Sequence, residues 1–199
     1  MKNELEMIQT LFEYQSFGLF PFPIKPFSSD IHDSKEGRMK YHNASNGIQM
    51  SEQEIYNWFG EKKLDNCGLI LGESGNLSIL EFDNEKSLDE LIKKLSQKKE
   101  SNISDIIFQN FLENLFISTT CIHTPENKIQ FWFKYSKNLP TSQYKKESKY
   151  KTYNGINVYS DGFITAPPSF IRKDNYVGQF EISLGKEPIN FPEEINFFI

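Results

Sequence analysis

Glu81 and Asp83 stand two residues apart in the stretch LSILEFDNE, at the end of an apolar run that begins at Leu77. On an extended strand, side chains at i and i+2 share a face, here about 6–7 Å apart along the backbone. Two hard oxygen donors converging on one point repel each other unless a cation lies between them. Mg2+ or Mn2+ suits carboxylate ligation. The same spacing also fits a strand that surfaces into solvent, because alternating acids are common at strand ends.

The elements that must position this pair follow from periodicity and turn chemistry. Residues 2–17 carry Leu5, Ile8, Leu11 and Phe12 at helical spacing, with Gly18 as a stop, and predict an opening helix. GLFPFPIKPF suits an extended strand, followed by a loop through the polar stretch from Ser28 to Gly47. Ser51 and Glu54 form a capping box ahead of Ile55, Trp58 and Phe59, predicting a short helix closed by Gly60. Gly68–Leu71 and Leu77–Asp83 read as a hairpin across the turn residues Gly72–Gly75.

Two helices are expected within residues 85–115, on Leu88, Leu91, Ile92 and Leu95 and then on Ile106, Ile107, Phe111 and Leu115. Phe116–Cys121 and Ile129–Tyr135 predict paired strands around the turn from His123 to Lys128. Ile156–Ser160 and Phe163–Ala166 predict a third hairpin around Asp161-Gly162, ended by Pro167-Pro168. The order implies an α+β domain in which helices cover one side of a mainly antiparallel sheet.

The 199 residues contain no Pro/Gly/Ser-rich linker that separates two cores, so a single domain over residues 1–199 is expected. An aromatic content of 15%, including 18 Phe, supplies enough apolar surface to exclude wholesale disorder. A net charge of −5 argues against coating nucleic acid by bulk electrostatics and directs attention to local patches. Cys67 and Cys121 lack metal-ligand spacing and cannot make a disulfide framework. No signal-like core opens the chain and no apolar run approaches membrane-spanning length, so a cytoplasmic protein without a membrane partner is expected.

Taken in order, NCGLILGESGNLSILEFD, HTPENKIQFWFKY, NGINVYSDGFITAPPSF and the later Tyr176 resemble the bifunctional primase-polymerase domain of the archaeo-eukaryotic primase superfamily. GLFPFPIKP resembles that family's opening strand, and SEQEIYNWF its short helix ending in Trp. The resemblance covers most of the chain. It implies a palm-like module related to the RNA-recognition fold, of a kind found on plasmids, viruses and other mobile elements. It further implies a nucleotidyltransferase that joins NTPs or dNTPs on a single-stranded template by two-metal chemistry with Mg2+ or Mn2+. The family's acid-x-acid motif falls on Glu81 and Asp83, which makes them the expected catalytic metal ligands.

Two positions depart from the family pattern. The histidine that contacts incoming phosphates is Gln130 here, which can donate a hydrogen bond but cannot become cationic, so Lys128 is the candidate substitute. His123 reads as an ordinary loop residue. The third acid is Asn157, with Asp161 the nearest carboxylate and also an ordinary turn residue before Gly162. The resemblance also brings Ser169 and Arg172 to the triphosphate, and Asn66 and Gly72 to a backbone that approaches the nucleotide; these last two equally suit a plain hairpin.

Between Lys134 and Lys151, lysines alternate with tyrosines. Lys145, Lys146, Lys149, Lys151 and Tyr150 would hold single-stranded DNA or a primer-template by phosphate contacts and stacking, or else form a solvated basic loop. With no helicase region and no cysteine-rich zinc module, a helicase or replication partner on a separate chain is expected. The alternative to an enzyme is the same fold with catalysis weakened, holding nucleotide or single-stranded DNA in a replication or defence complex. A rolling-circle nuclease would need a His-x-His pair, which His32, His42 and His123 do not form.

Overall fold

The computed structural model describes residues 4–62, 64–96, 103–137 and 156–191. The opening helix α1 (Glu4–Ser16) buries Met7, Ile8, Leu11 and Tyr14, and Gly18 turns the chain at φ +75°. Strand β1 (Pro21–Pro23) follows. The polar stretch expected to be a loop contains a second helix, α2 (Lys35–Ser45). It escapes periodicity because its buried residues are Gly37, Lys40 and Ala44 rather than an apolar stripe. Ser34 caps it by accepting from the Gly37 amide, and the Lys40 ammonium donates to Glu54.

The Ser51–Glu54 capping box opens α3 (Glu52–Ile55) as expected. The helix does not end at Gly60, however; it runs through that residue in a π-helical turn, Tyr56–Glu61, that buries Trp58 and Phe59. Then come β2 (Cys67–Ile70), β3 (Ser78–Phe82), α4 (Glu85–Ser96) and α5 (Ile103–Ser118). Phe116 and Ile117, expected to begin a strand, are exposed residues in the last turn of α5. The remaining strands are β4 (Cys121–His123), β5 (Ile129–Lys134), β6 (Ile156–Tyr159), β7 (Phe163–Ala166), β8 (Phe170–Lys173), β9 (Tyr176–Gln179), β10 (Glu181–Leu184) and β11 (Ile189–Asn190).

The class is α+β with mainly antiparallel sheets. A three-stranded sheet has the order β1-β2-β7, and a six-stranded sheet has the order β10-β4-β5-β3-β6 with β11 parallel to β5. The β4–β5 pair forms as expected. The other two expected hairpins do not: β2 and β3 lie in different sheets, and so do β6 and β7. At both turns the chain leaves one sheet and joins the other.

The reason lies in a close approach between the two turns. Gly72, at φ +84°, has room only for hydrogen at Cα, since a Cβ would lie 2.8 Å from the Ser160 carbonyl oxygen. The Leu71 amide donates to the Gly162 carbonyl at 2.9 Å, which ties the two crossings together. Instead of pairing with each other, β2 bonds to β7 and β3 bonds to β6.

The expectation that helices cover one side also needs revision. Helices α4 and α5 pack Leu88, Leu112 and Leu115 against Leu80, Phe82, Phe131 and Phe133 on one face of the larger sheet. The other face carries Ile79, Ile122 and Trp132. It packs against the smaller sheet through Leu69 and Ile164, and against α1 and α3 through Leu11 and Ile55. Polar side chains interrupt that second face, and there the candidate site forms.

Candidate active site

Strand β3 lies between β5 and β6, and its register sets Glu81 opposite Gln130 on one side and opposite Asn157 on the other. Directly opposed residues share a face about 4.5–5.5 Å apart, so three polar side chains from three strands form one row. Glu81 is only 4% exposed. A buried carboxylate is tolerated when donors replace its lost water.

Four donors do so. Oε1 accepts from Lys128 Nζ at 2.8 Å, Tyr159 OH at 3.0 Å and Asn157 Nδ2 at 3.4 Å, while Oε2 accepts from Gln130 Nε2 at 2.9 Å. Tyr159 was not singled out from the sequence. Its signal is its place two residues beyond Asn157, which puts both on one face of β6. Donation to Glu81 fixes the Gln130 amide, and its Oε1 is buried without a hydrogen-bond partner.

Lys128 comes from the turn between β4 and β5, which Thr124 braces. The Thr124 amide donates to the Lys128 carbonyl at 2.9 Å, and Thr124 Oγ1 accepts from the amides of Glu126 and Lys128. The ammonium therefore stands between the two acids of the motif, 2.8 Å from Glu81 and 3.9 Å from Asp83. Burial pulls the Lys128 pKa down, but the hydrogen bond to Glu81 and the charges of Glu81, Asp83 and Glu126 together carry it above the usual lysine value. The two acids are unequal partners: the Asp83 side chain is 50% exposed, against 6% for that of Glu81.

Glu81, Lys128, Gln130 and Tyr159 line a cleft of about 730 Å3, together with Asp161, Gly162 and Phe163–Thr165. That volume is in the range of small-ligand sites. Asp161 is exposed and accepts from the Gly162 amide at 2.8 Å.

Several expected nucleotide contacts have other work in this structure. Asn66 and Ser169 are fully buried. The Asn66 side chain bonds the backbone of Lys25, Ser28 and Phe170, while Ser169 Oγ accepts from the Cys67 amide. Gly72 approaches Ser160 rather than the cleft. Arg172 is exposed and lays its guanidinium over the Phe27 ring, 4.7 Å from its centroid. Lys145, Lys146, Lys149, Tyr150 and Lys151 lie outside the described residues.

The donor set can be tested against a divalent ion. Among the described residues, no group of three or more His, Cys, Asp or Glu side chains is gathered to hold a metal. Yet the acid pair already brackets a cation, the Lys128 ammonium, and the oxygens around it are hard donors of the kind Mg2+ and Mn2+ prefer. Glu81 and Asp83 therefore offer hard oxygens on two sides of one cation position, which would suit a divalent ion on condition that Lys128 leaves and Asp83, 3.9 Å from the ammonium, closes on it.

The molecule is thus an α+β protein whose central strand offers a buried, donor-wrapped carboxylate to a cleft lined from two antiparallel sheets. The family model described as bifunctional DNA primase/polymerase, N-terminal, matches residues 15–192, and the chain belongs to that family. Membership implies primase/polymerase-type nucleotidyl transfer, with nucleic acid and nucleotide as ligands, by proteins that are generally metal-dependent. Compared with curated proteins, the chain matches none. Among the described residues no helix is long and apolar enough to cross a membrane.

Proposed function

We propose that this chain, as one domain, is a template-dependent nucleotidyltransferase that adds NTPs or dNTPs opposite a single strand, in the replication or repair of a mobile element's DNA. The six-stranded sheet serves as its palm. Glu81 and Asp83 hold Mg2+ or Mn2+, with the Asn157 amide oxygen or Asp161 as the further ligand. When bound, the divalent ions activate the attacking hydroxyl and neutralise the departing pyrophosphate.

The chain's own residues do the rest. Gln130, Asn157 and Tyr159 hold the Glu81 carboxylate in one orientation, so it need not reorganise when a ligand arrives. Lys128 supplies the cationic phosphate contact that Gln130 cannot. Arg172 contacts the triphosphate, the basic run with Lys145, Lys146, Lys149, Tyr150 and Lys151 takes the template strand, and unwinding comes from a helicase partner on another chain.

The observation that carries this reading is the row Asn157–Glu81–Gln130 in register, with Glu81 and Gln130 lining the cleft and a cation bridging the two acids. Primer extension with Mn2+, comparing wild type with Asp83→Ala, tests it. Extension by the wild type that vanishes in the variant is the expected result.

A second reading has its own observation. Glu81 is already saturated by four donors, and its two cross-strand neighbours, Gln130 and Asn157, add no charge. Those features suit a fold that holds nucleotide or single-stranded DNA for a larger complex without turnover. No extension by the wild type, alongside intact nucleotide binding, would establish it in place of the first.

A further inference from the structure

Lys128, the stand-in for the family's phosphate-contacting histidine in the reading above, has surroundings that give it two competing partners. Its ammonium neutralises a carboxylate whose side chain is only 6% exposed, which in the absence of any cation would carry a large desolvation cost. The same ammonium stands where an ion shared by Glu81 and Asp83 would have to sit. Two cations cannot occupy one gap between two carboxylates, so one must leave for the other to bind.

We propose that Lys128 is a resident counter-ion that couples the binding of the divalent ion to the binding of the nucleotide. This rests on the nucleotide-site reading above. In the empty cleft Lys128 holds Glu81, and a free divalent ion must displace it at a cost. Displaced alone, the ammonium loses a buried hydrogen bond and gains only water. Displaced in the presence of a triphosphate, it gains phosphate oxygens at the same cleft wall. Ion and nucleotide therefore each bind better when the other is present, by the same factor.

The geometry supports such an exchange. Lys128 is a long, single-headed side chain with 30% of its surface exposed, so its head can swing while its backbone stays fixed by Thr124. Gln130, Asn157 and Tyr159 reach Glu81 without it, and the carboxylate keeps its orientation when Lys128 departs.

The test compares wild type with Lys128→Met by titration calorimetry, using Mn2+ alone, α,β-methylene-ATP in EDTA, and α,β-methylene-ATP in saturating Mn2+. Circular dichroism checks the fold. Mn2+ alone should bind the variant about tenfold more tightly, because no internal cation competes. In EDTA, nucleotide affinity should differ less than about twofold, since wild-type Lys128 is held by Glu81. With Mn2+ present, the variant should bind nucleotide about tenfold more weakly than wild type.

This crossing separates the proposal from its rivals. A plain phosphate contact would weaken nucleotide binding in EDTA as well, and a purely structural lysine would not tighten Mn2+. Unchanged or weaker Mn2+ binding by the variant overturns the proposal, even if extension in the Asp83→Ala comparison upholds the enzyme. Tighter Mn2+ binding with no nucleotide bound by either protein overturns the coupling together with the nucleotide reading. Should Lys128→Met fail to fold, wild type alone decides. Acetic anhydride labelling of Lys128, read by mass spectrometry, must rise at saturating Mg2+ alone, which sends the ammonium into water, and fall again when nucleotide is added to the same Mg2+; unchanged labelling at either step overturns the proposal.

Discussion

The two faces of the six-stranded sheet are built from alternating residues of the same strands and behave oppositely. Toward α4 and α5, β3 offers Leu80 and Phe82 and β5 offers Phe131 and Phe133, which close into an apolar cluster. Toward the smaller sheet the same strands offer Ile79 and Trp132, which are apolar, and then Glu81 and Gln130, which are not. One face is spent on stability. The other gives up part of its core to keep a charge, and the cost is offset by a ring of donors.

That contrast predicts a separation of stability from function. Phe131→Ala removes a fully buried ring that packs edge-on against Phe82 and Phe116, and should lower unfolding free energy by about 3–5 kcal/mol in urea denaturation. Glu81→Gln keeps the shape of the row but leaves the Lys128 ammonium without its closest carboxylate. It should cost about 1–3 kcal/mol while abolishing Mn2+-dependent primer extension. If the glutamine variant lost as much stability as the Phe131 variant, the functional face would be no less structural than the other, and the contrast would fail.

Gly72→Ala probes the seam between the sheets. A methyl group there meets the Ser160 carbonyl at 2.8 Å on a backbone already at φ +84°, so a loss of about 1–3 kcal/mol is expected. Because Ser160 follows Tyr159 directly, the strain should reach the Glu81 ring, and nucleotide affinity should fall with stability. Lost stability with full nucleotide affinity would show that the seam and the site are independent.

How much of this was legible in the sequence follows from where each signal resides. Helices α1, α4 and α5 carry their own apolar stripes, and β5 its own aromatic run, so local periodicity finds them. Which sheet a strand joins is decided by partners far along the chain. For that reason Gly72–Gly75 and Asp161-Gly162 read as hairpin turns although both are crossings. Helix α2 was invisible because a cap and an ion pair hold it, and the strand expected at Phe116 dissolved because α5 extends through it to Ser118.

The site divides the same way. The acids Glu81 and Asp83 stand out by spacing, and Gln130 and Asn157 by resemblance. Tyr159 could have been found from its place two residues beyond Asn157, but that it and Lys128 both close on Glu81 depends on strand register, which no short stretch of sequence discloses. Asn66 and Ser169 share a motif neighbourhood with the cleft, yet their side chains are used to bond β2 to the turn after β7.

The mildest effect is expected at a second lysine-paired carboxylate, Glu54, which serves only architecture. It accepts from the Lys40 ammonium and from the Ser51 amide, linking α2 to the start of α3. The hydrogen bond from Lys40 is the strongest influence and, with the Ser51 amide, it holds the Glu54 pKa below the usual value against a partial desolvation that works upward. A lowered folded-state pKa contributes stability that is present above the unfolded value and lost as pH falls through the folded one. The urea midpoint of wild type should therefore drop between about pH 5 and pH 3, and the gap between wild type and Glu54→Gln should close over the same interval. Nucleotide affinity at neutral pH should be the same in both proteins, since Glu54 does not line the cleft. A Glu54→Gln variant that bound nucleotide more weakly at neutral pH would mean that α2 and α3 transmit to the cleft, and that the division between a stabilising and a functional side of this molecule does not extend beyond its central sheet.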